Sequence, residues 1–290
     1  MRRLGIALGA CVGLLLAGIA CVAYPTSVID DRGQEIVIEG APQRIVSLNA
    51  LYTQIIVDLG HADRLVALGE SEDNPQEVAD LPSVGPAFSP SVEMILGQAP
   101  DLVLGANDWG GERQVLEDAG ITVFTTPWLT DVVSIFDTIR AIAGTLEATE
   151  AAELLVGRIA SDIIEAESTV LTLPSVSAAF LYASTTQDPP YAAGGDSIES
   201  ELILRAGGTN VFSELVWSPQ VSFEEILARN PQVIFTDPAQ VGNVLASPFM
   251  QSLDAVANGR VYGVSGSDAA STRVANALRA IIAGLHGNSG

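Results

Sequence analysis

Between Thr149 and Leu171 the chain carries one long stretch with the period of a helix, and this stretch limits the folds open to it. Ala152, Leu155, Ile159, Ile163, Ala166 and Val170 recur at steps of three and four with acids between them, and only Gly157 interrupts. Such spacing builds a helix with a single apolar face. At about 1.5 Å per residue it reaches roughly 35 Å, enough to cross the side of a small domain. Pro174 ends it. The pattern fits an ordinary packed amphipathic helix, and it fits a rigid strut between two lobes.

Its flanks decide between these. Upstream, Ser27–Ile38 reads as a hairpin turning at Gly33, and 44–48, 65–68, 102–104 and 121–124 read as short buried strands. Helical segments at 51–59, 91–96 and 112–119 separate those strands. Downstream, strands at 178–182, 233–235 and 261–262 alternate with helices at 197–206 and 273–285. Strands alternating with helices imply parallel, doubly wound layers. The fold class is therefore α/β: two Rossmann-like lobes joined by a single long rigid helix, with a ligand cleft between them. The expected divisions are a signal over 1–23, an N-terminal lobe over 24–148, the connecting helix over 149–172 and a C-terminal lobe over 173–290.

The first 23 residues look like an export signal. Arg2 and Arg3 precede an uncharged apolar run from Leu4 to Ala20, and small residues offer cleavage points before Tyr24. Its many Gly and Ala residues favour a cleaved signal over a permanent span. Cys21, in Gly18-Ile19-Ala20-Cys21, resembles a lipoprotein processing site, although Gly18 stands where a larger aliphatic residue is usual. Plain cleavage and lipid attachment at Cys21 both stay open. The remaining cysteine, Cys11, lies inside the signal, so the mature chain has no disulfide and no thiol metal site.

Without the signal the chain keeps eleven Arg against 35 acids, a formal charge of −24, and it has no Lys at all. Such a surface repels phosphate backbones and disfavours nucleic acid. Missing Lys excludes a phosphate-loop ATPase and a Schiff-base enzyme, so any ATP hydrolysis belongs to another chain. No His-Glu-x-x-His or Gly-x-Ser-x-Gly motif is present, and only His61 and His286 could serve a triad. An enzyme is not expected, although a carboxylate-pair hydrolase stays as a remote alternative.

Ordered short motifs then carry a resemblance. They run from Pro42-Gln43-Arg44-Ile45-Val46-Ser47-Leu48, Leu59-Gly60 and Asp63-Arg64-Leu65-Val66-Ala67 through Ser91-Val92-Glu93-Met94-Ile95-Leu96 and Ala99-Pro100-Asp101-Leu102-Val103-Leu104. In the second half follow Ala206-Gly207-Gly208-Thr209-Asn210-Val211-Phe212, Val221-Ser222-Phe223-Glu224-Glu225-Ile226-Leu227 and Asn258-Gly259-Arg260-Val261-Tyr262. Over Val28–Leu285 the chain resembles the periplasmic-binding family that serves ABC importers of ferric siderophores, haem and cobalamin. The resemblance implies a monomeric two-lobed receptor with little hinge motion. Its partners would be a permease with ATPase subunits, met through one acid per lobe: Glu93 and Glu224, with Glu225 as a substitute. It also places Ala87 or Phe88, together with Trp217, against the ligand.

Ligands of open α/β sheets bind beyond the carboxyl ends of strands. That rule, with the resemblance, gives the candidate ligand-binding set Tyr52, Phe88, Trp109, Arg113, Trp128, Tyr182, Tyr191 and Trp217. No catalytic residue, metal site or resident cofactor is expected. An anionic catecholate chelate asks for converging Arg, and the candidate cleft offers Arg113 alone. Haem asks for an axial Tyr or His; His61 sits at a helix end and His286 in the tail, which leaves Tyr52, Tyr182 or Tyr191 as possible ligands. An aromatic, amide-lined cleft suits a corrinoid, and Trp109-Gly110-Gly111-Glu112-Arg113-Gln114-Val115 resembles the corresponding stretch of cobalamin binders. Cobalamin-type corrinoids therefore come first, with a ferric siderophore or haem as the alternative.

Overall fold

A computed structural model describes residues 24–105 and 111–287. The chain opens with an antiparallel hairpin of β1 (Thr26–Ile29) and β2 (Glu35–Ile38), turned at Gly33 with φ of 72°. Five parallel strands follow: β3 (Ile45–Ser47), β4 (Leu65–Glu70), β5 (Ser83–Pro86), β6 (Leu102–Leu104) and β7 (Thr122–Phe124). Their order is β5-β4-β3-β6-β7, so the chain winds from the centre to one edge and then to the other. Helices α1 (Ala50–Asp58), α2 (Val92–Gly97), α3 (Glu112–Asp118) and α4 (Val132–Leu146) cover this sheet.

The long amphipathic stretch forms α5 (Thr149–Ser168). Beyond it a second sheet holds four parallel strands in the order β10-β8-β11-β12: β8 (Val176–Tyr182), β10 (Gly208–Asn210), β11 (Val233–Thr236) and β12 (Val261–Gly263). A short β9 (Tyr191–Ala192) pairs antiparallel with the end of β8. Its helices are α6 (Ile198–Arg205), α7 (Phe223–Arg229), α8 (Val241–Ala246), α9 (Asp254–Ala257), α10 (Gly266–Ala269) and α11 (Val274–His286).

Each buried strand sends alternate residues to opposite faces. In the first sheet Val46, Val103 and Val123 face α2 and α3 through Ile95 and Leu116. Ile45, Leu102, Leu104 and Phe124 face the other way and join α1, α4 and α5. In the second sheet Ala179, Leu181 and Ile234 pack with Phe212 and Ile226 on one face. Phe180 and Phe235 turn to the other face, toward α11. The inward faces of both sheets belong to one continuous core that also holds Leu155, Ile159 and Ile163 of α5. The long helix is thus a packed layer shared by both lobes and not a free strut.

A polar brace crosses the same seam. Glu201 of α6 accepts from the backbone N–H of Val132 at 2.7 Å and from Arg205 Nε at 2.7 Å, while Arg205 Nη1 donates to Glu167 of α5 at 2.6 Å.

Arg113 is not in the cleft. Its guanidinium donates to Asp30 at 2.6 Å, Asp31 at 2.8 Å and Glu117 at 3.1 Å, and it locks the hairpin onto α3. His61 closes α1 through its backbone N–H to Ile56, and His286 Nε2 pairs with the carbonyl of Ala206 at 2.9 Å.

Truncating Ile159, buried in the shared core, tests this account. Ile159→Ala is expected to lower stability by about 2–5 kcal/mol in urea unfolding. Fluorescence and circular dichroism should report a single transition; two separated transitions would show that the lobes fold independently.

Candidate functional site

The carboxyl ends of the parallel strands in both sheets converge on a cavity of about 810 Å³ between the lobes. From the first lobe its wall takes Leu48 to Tyr52 after β3, Glu70, Ser71 and Asp73 at the end of β4, Phe88 after β5 and Thr126 to Thr130 after β7. The second lobe contributes Tyr182 at the end of β8, Asp196 to Glu199 leading into α6, Trp217, and Ser267, Ala270, Ser271 and Arg273 around α10.

Tyr52, Phe88, Trp128, Tyr182 and Trp217 therefore stand together, as the sequence suggests. Tyr191 does not join them: it sits half-exposed on β9, bridged to Gln220, away from the cavity wall. Trp109 and Cys21 lie outside the described residues. Asn49 lines the wall while its amide oxygen accepts from Leu51 N–H at 2.9 Å, which starts α1.

Two aromatic groups are presented by different means. Phe88 and Trp128 stack with centroids 6.5 Å apart, both about half-exposed at the mouth. Trp217 is 66% exposed and holds a left-handed backbone, with φ of 61°. A non-glycine residue there costs of order 1–3 kcal/mol and persists only where its surroundings fix it. They do. Its N–H donates to Asp196 at 2.6 Å, and its carbonyl accepts from Gly194 N–H at 2.8 Å. A Cβ on Gly194 would lie 2.4 Å from that carbonyl, and one on Gly195 would lie 2.0 Å from the Ser213 carbonyl. The glycine pair thus serves close backbone approach.

Both tyrosines are held protonated. Burial pushes the Tyr52 phenol up, against the lowering effect of its hydrogen bonds to Thr126 at 2.9 and 3.2 Å. Burial, and then the Glu199 carboxylate beside it, push the Tyr182 phenol far above its ordinary range. Arg273, the one basic residue on the wall among the described residues, donates to Asp268 at 2.5 Å and across the lobes to Gln54 at 2.7 Å. Two more bonds cross nearby, Ser267 to Asp73 at 2.9 Å and Thr272 to Asp58 at 2.6 Å.

Sequence reasoning missed Asp196, Glu199 and Arg273. Glu199 follows the capping Ser197 by two residues and looks like any first-turn helix acid. Only the return of the 213–217 segment past Gly194 turns that helix start into a cavity wall.

The model of the family described as periplasmic binding protein matches residues 45–266. An uncharacterized ABC transporter substrate-binding lipoprotein, YvrC of Bacillus subtilis (strain 168), is 26% identical over 247 residues, covering 83% of this chain and 78% of the relative. A vitamin B12-binding protein of Vibrio campbellii (strain ATCC BAA-1116) is 27% identical over 232 residues, covering 78% and 82%. Among solved structures, an ABC-type Fe3+-hydroxamate transport protein of Saccharomonospora viridis DSM 43017 superposes with a TM-score of 0.79 at 24% identity, covering 91% of this chain and all of that one. Haem-binding proteins share the fold as well. Among the described residues no helix is long and apolar enough to cross a membrane, and no group of His, Cys, Asp and Glu could hold a metal ion.

The phenol of Tyr182 gives a pH test. Above about pH 10 the unfolded chain releases that proton while the folded chain keeps it, so stability is full below this pH and falls above it. With no Lys in the chain, tyrosines dominate the alkaline limb. Tyr182→Phe should flatten the loss by about 1 kcal/mol between roughly pH 10 and 11. Denaturation profiles of equal slope in both proteins would refute the shift.

Proposed function

This chain belongs to the periplasmic binding protein family, and from that premise we propose that its cleft captures a cobalamin-type corrinoid and delivers it to a permease. It is a substrate-binding protein of an ABC importer. The single observation that carries the ligand reading is the chemistry of the wall. Its aromatic groups face the cavity, it holds no imidazole, and its one guanidinium is already engaged by Asp268 and Gln54. A multiply anionic catecholate chelate, or the propionates of haem, would need converging cations. A corrinoid is broad, amphipathic and edged with amides, so aromatic faces and hydrogen-bonding side chains suffice. The name of the Vibrio relative supports the same choice.

Corrinoid binding is expected to quench tryptophan fluorescence of the mature protein at micromolar ligand. Trp217→Ala should weaken it by about 1–2 kcal/mol, the worth of a stacked ring. No quenching removes the corrinoid reading, and unchanged affinity in the variant returns Trp217 to a packing role.

Delivery falls to Glu93 and Glu224. Each stands two residues after a capping serine, Ser91 on α2 and Ser222 on α7, and each is exposed. Glu225 is tied to Arg229 at 2.8 Å, which leaves Glu224 as the acid of the second lobe. One carboxylate on each lobe can meet an arginine on the partner and fix its orientation. The double variant Glu93→Ala, Glu224→Ala should abolish corrinoid uptake by cells while binding by the purified protein stays intact. Normal uptake would end the docking assignment.

A further inference from the structure

The electrostatics of the cleft have a sign. Four carboxylates, Glu70, Asp73, Asp196 and Glu199, line it against the single guanidinium of Arg273. Elsewhere the chain sets arginines on its acids, as with Arg113, Arg140, Arg205 and Arg229. Among the described residues none of the four cleft carboxylates is in an ion pair. Asp73 accepts from the Ser267 hydroxyl at 2.9 Å and Asp196 from the Trp217 N–H at 2.6 Å, both neutral donors.

Glu199 stands out from the generally acidic surface because it is only 8% exposed while still lining the cavity. A buried carboxylate without a cation gains from the arrival of a positive group. The exposed faces of Trp217 and of the Phe88–Trp128 stack add a second, independent preference, since aromatic faces attract cations.

We infer that the cleft is selective for ligands carrying net positive charge, with Glu199 as the residue that sets this preference. The inference deepens the proposed function by naming the charge state of the ligand, and it rests on the cleft being the ligand site. For a corrinoid it means that the form with water as the upper ligand, a monocation, binds more tightly than the neutral cyano form. The same wall would prefer a cationic ferric hydroxamate over a neutral one.

The test compares aquacobalamin with cyanocobalamin, and cationic ferrioxamine B with neutral ferrichrome, by calorimetry at low and high salt. Wild-type protein should bind the cationic member of a pair about tenfold more tightly, with the margin shrinking in salt. Glu199→Gln removes the charge and keeps the length of the side chain; it should erase most of that margin. Corrinoids bound equally well, or a margin unchanged by Glu199→Gln, would overturn the charge inference and spare the corrinoid reading. Binding confined to the hydroxamate pair with the cation ahead would do the reverse. Binding of neither pair would count against both.

Discussion

The structure depends on a single apolar core that no lobe owns. Ile135 and Ile139 of α4, Leu155, Ile159 and Ile163 of α5, and Leu278 and Ile281 of α11 pack into one body with the inward faces of both sheets. Interiors of this density do not deform continuously. The shared core thus ties the two lobes together on either side of the cavity. The brace from Val132 through Glu201 and Arg205 to Glu167, and the bonds from Arg273 and Ser267 across the mouth, work in the same direction.

Arginine use follows from this. The chain has no Lys, and eleven Arg serve the whole mature protein. Arg113 fastens the hairpin, Arg205 the seam, and Arg44 and Arg260 satisfy carbonyls at helix ends. Little positive charge is left for a binding surface. A receptor built this way can grip a large ligand through rings, amides and carboxylates, and it is poorly equipped for a polyanion.

Much of the fold was legible in the sequence, because short apolar strands and a sustained three-and-four period are local signals. The strands at 102–104 and 233–236, and the helix at 149–168, lie within a residue or a few of where the pattern puts them. The helix α4 went unread despite Val132, Ile135, Ile139 and Ile142 at helical spacing and the Asp131–Ser134 capping box. Aromatic residues of the site were readable from strand ends. Its acids were not, since Glu199 becomes a wall residue only through contacts between segments far apart in the chain. Arg113 misled for the converse reason: its position after β6 suggests the cleft, while its partners Asp30 and Asp31 lie some eighty residues earlier. A charge is drawn to its counter-charges wherever the topology brings them.

The Gly194–Gly195 seam has a consequence for how such a receptor can change. Two bare backbones touch there, so the ring at 217 is positioned by the lack of side chains opposite it. Replacing the ring changes one exposed part of the cavity wall and touches none of the backbone contacts behind it. Any side chain added at 194 or 195 pushes the whole 213–217 segment outward and takes the wall with it. The wall is thus free to vary at position 217, while the two glycines behind it are held fixed by the backbone they touch.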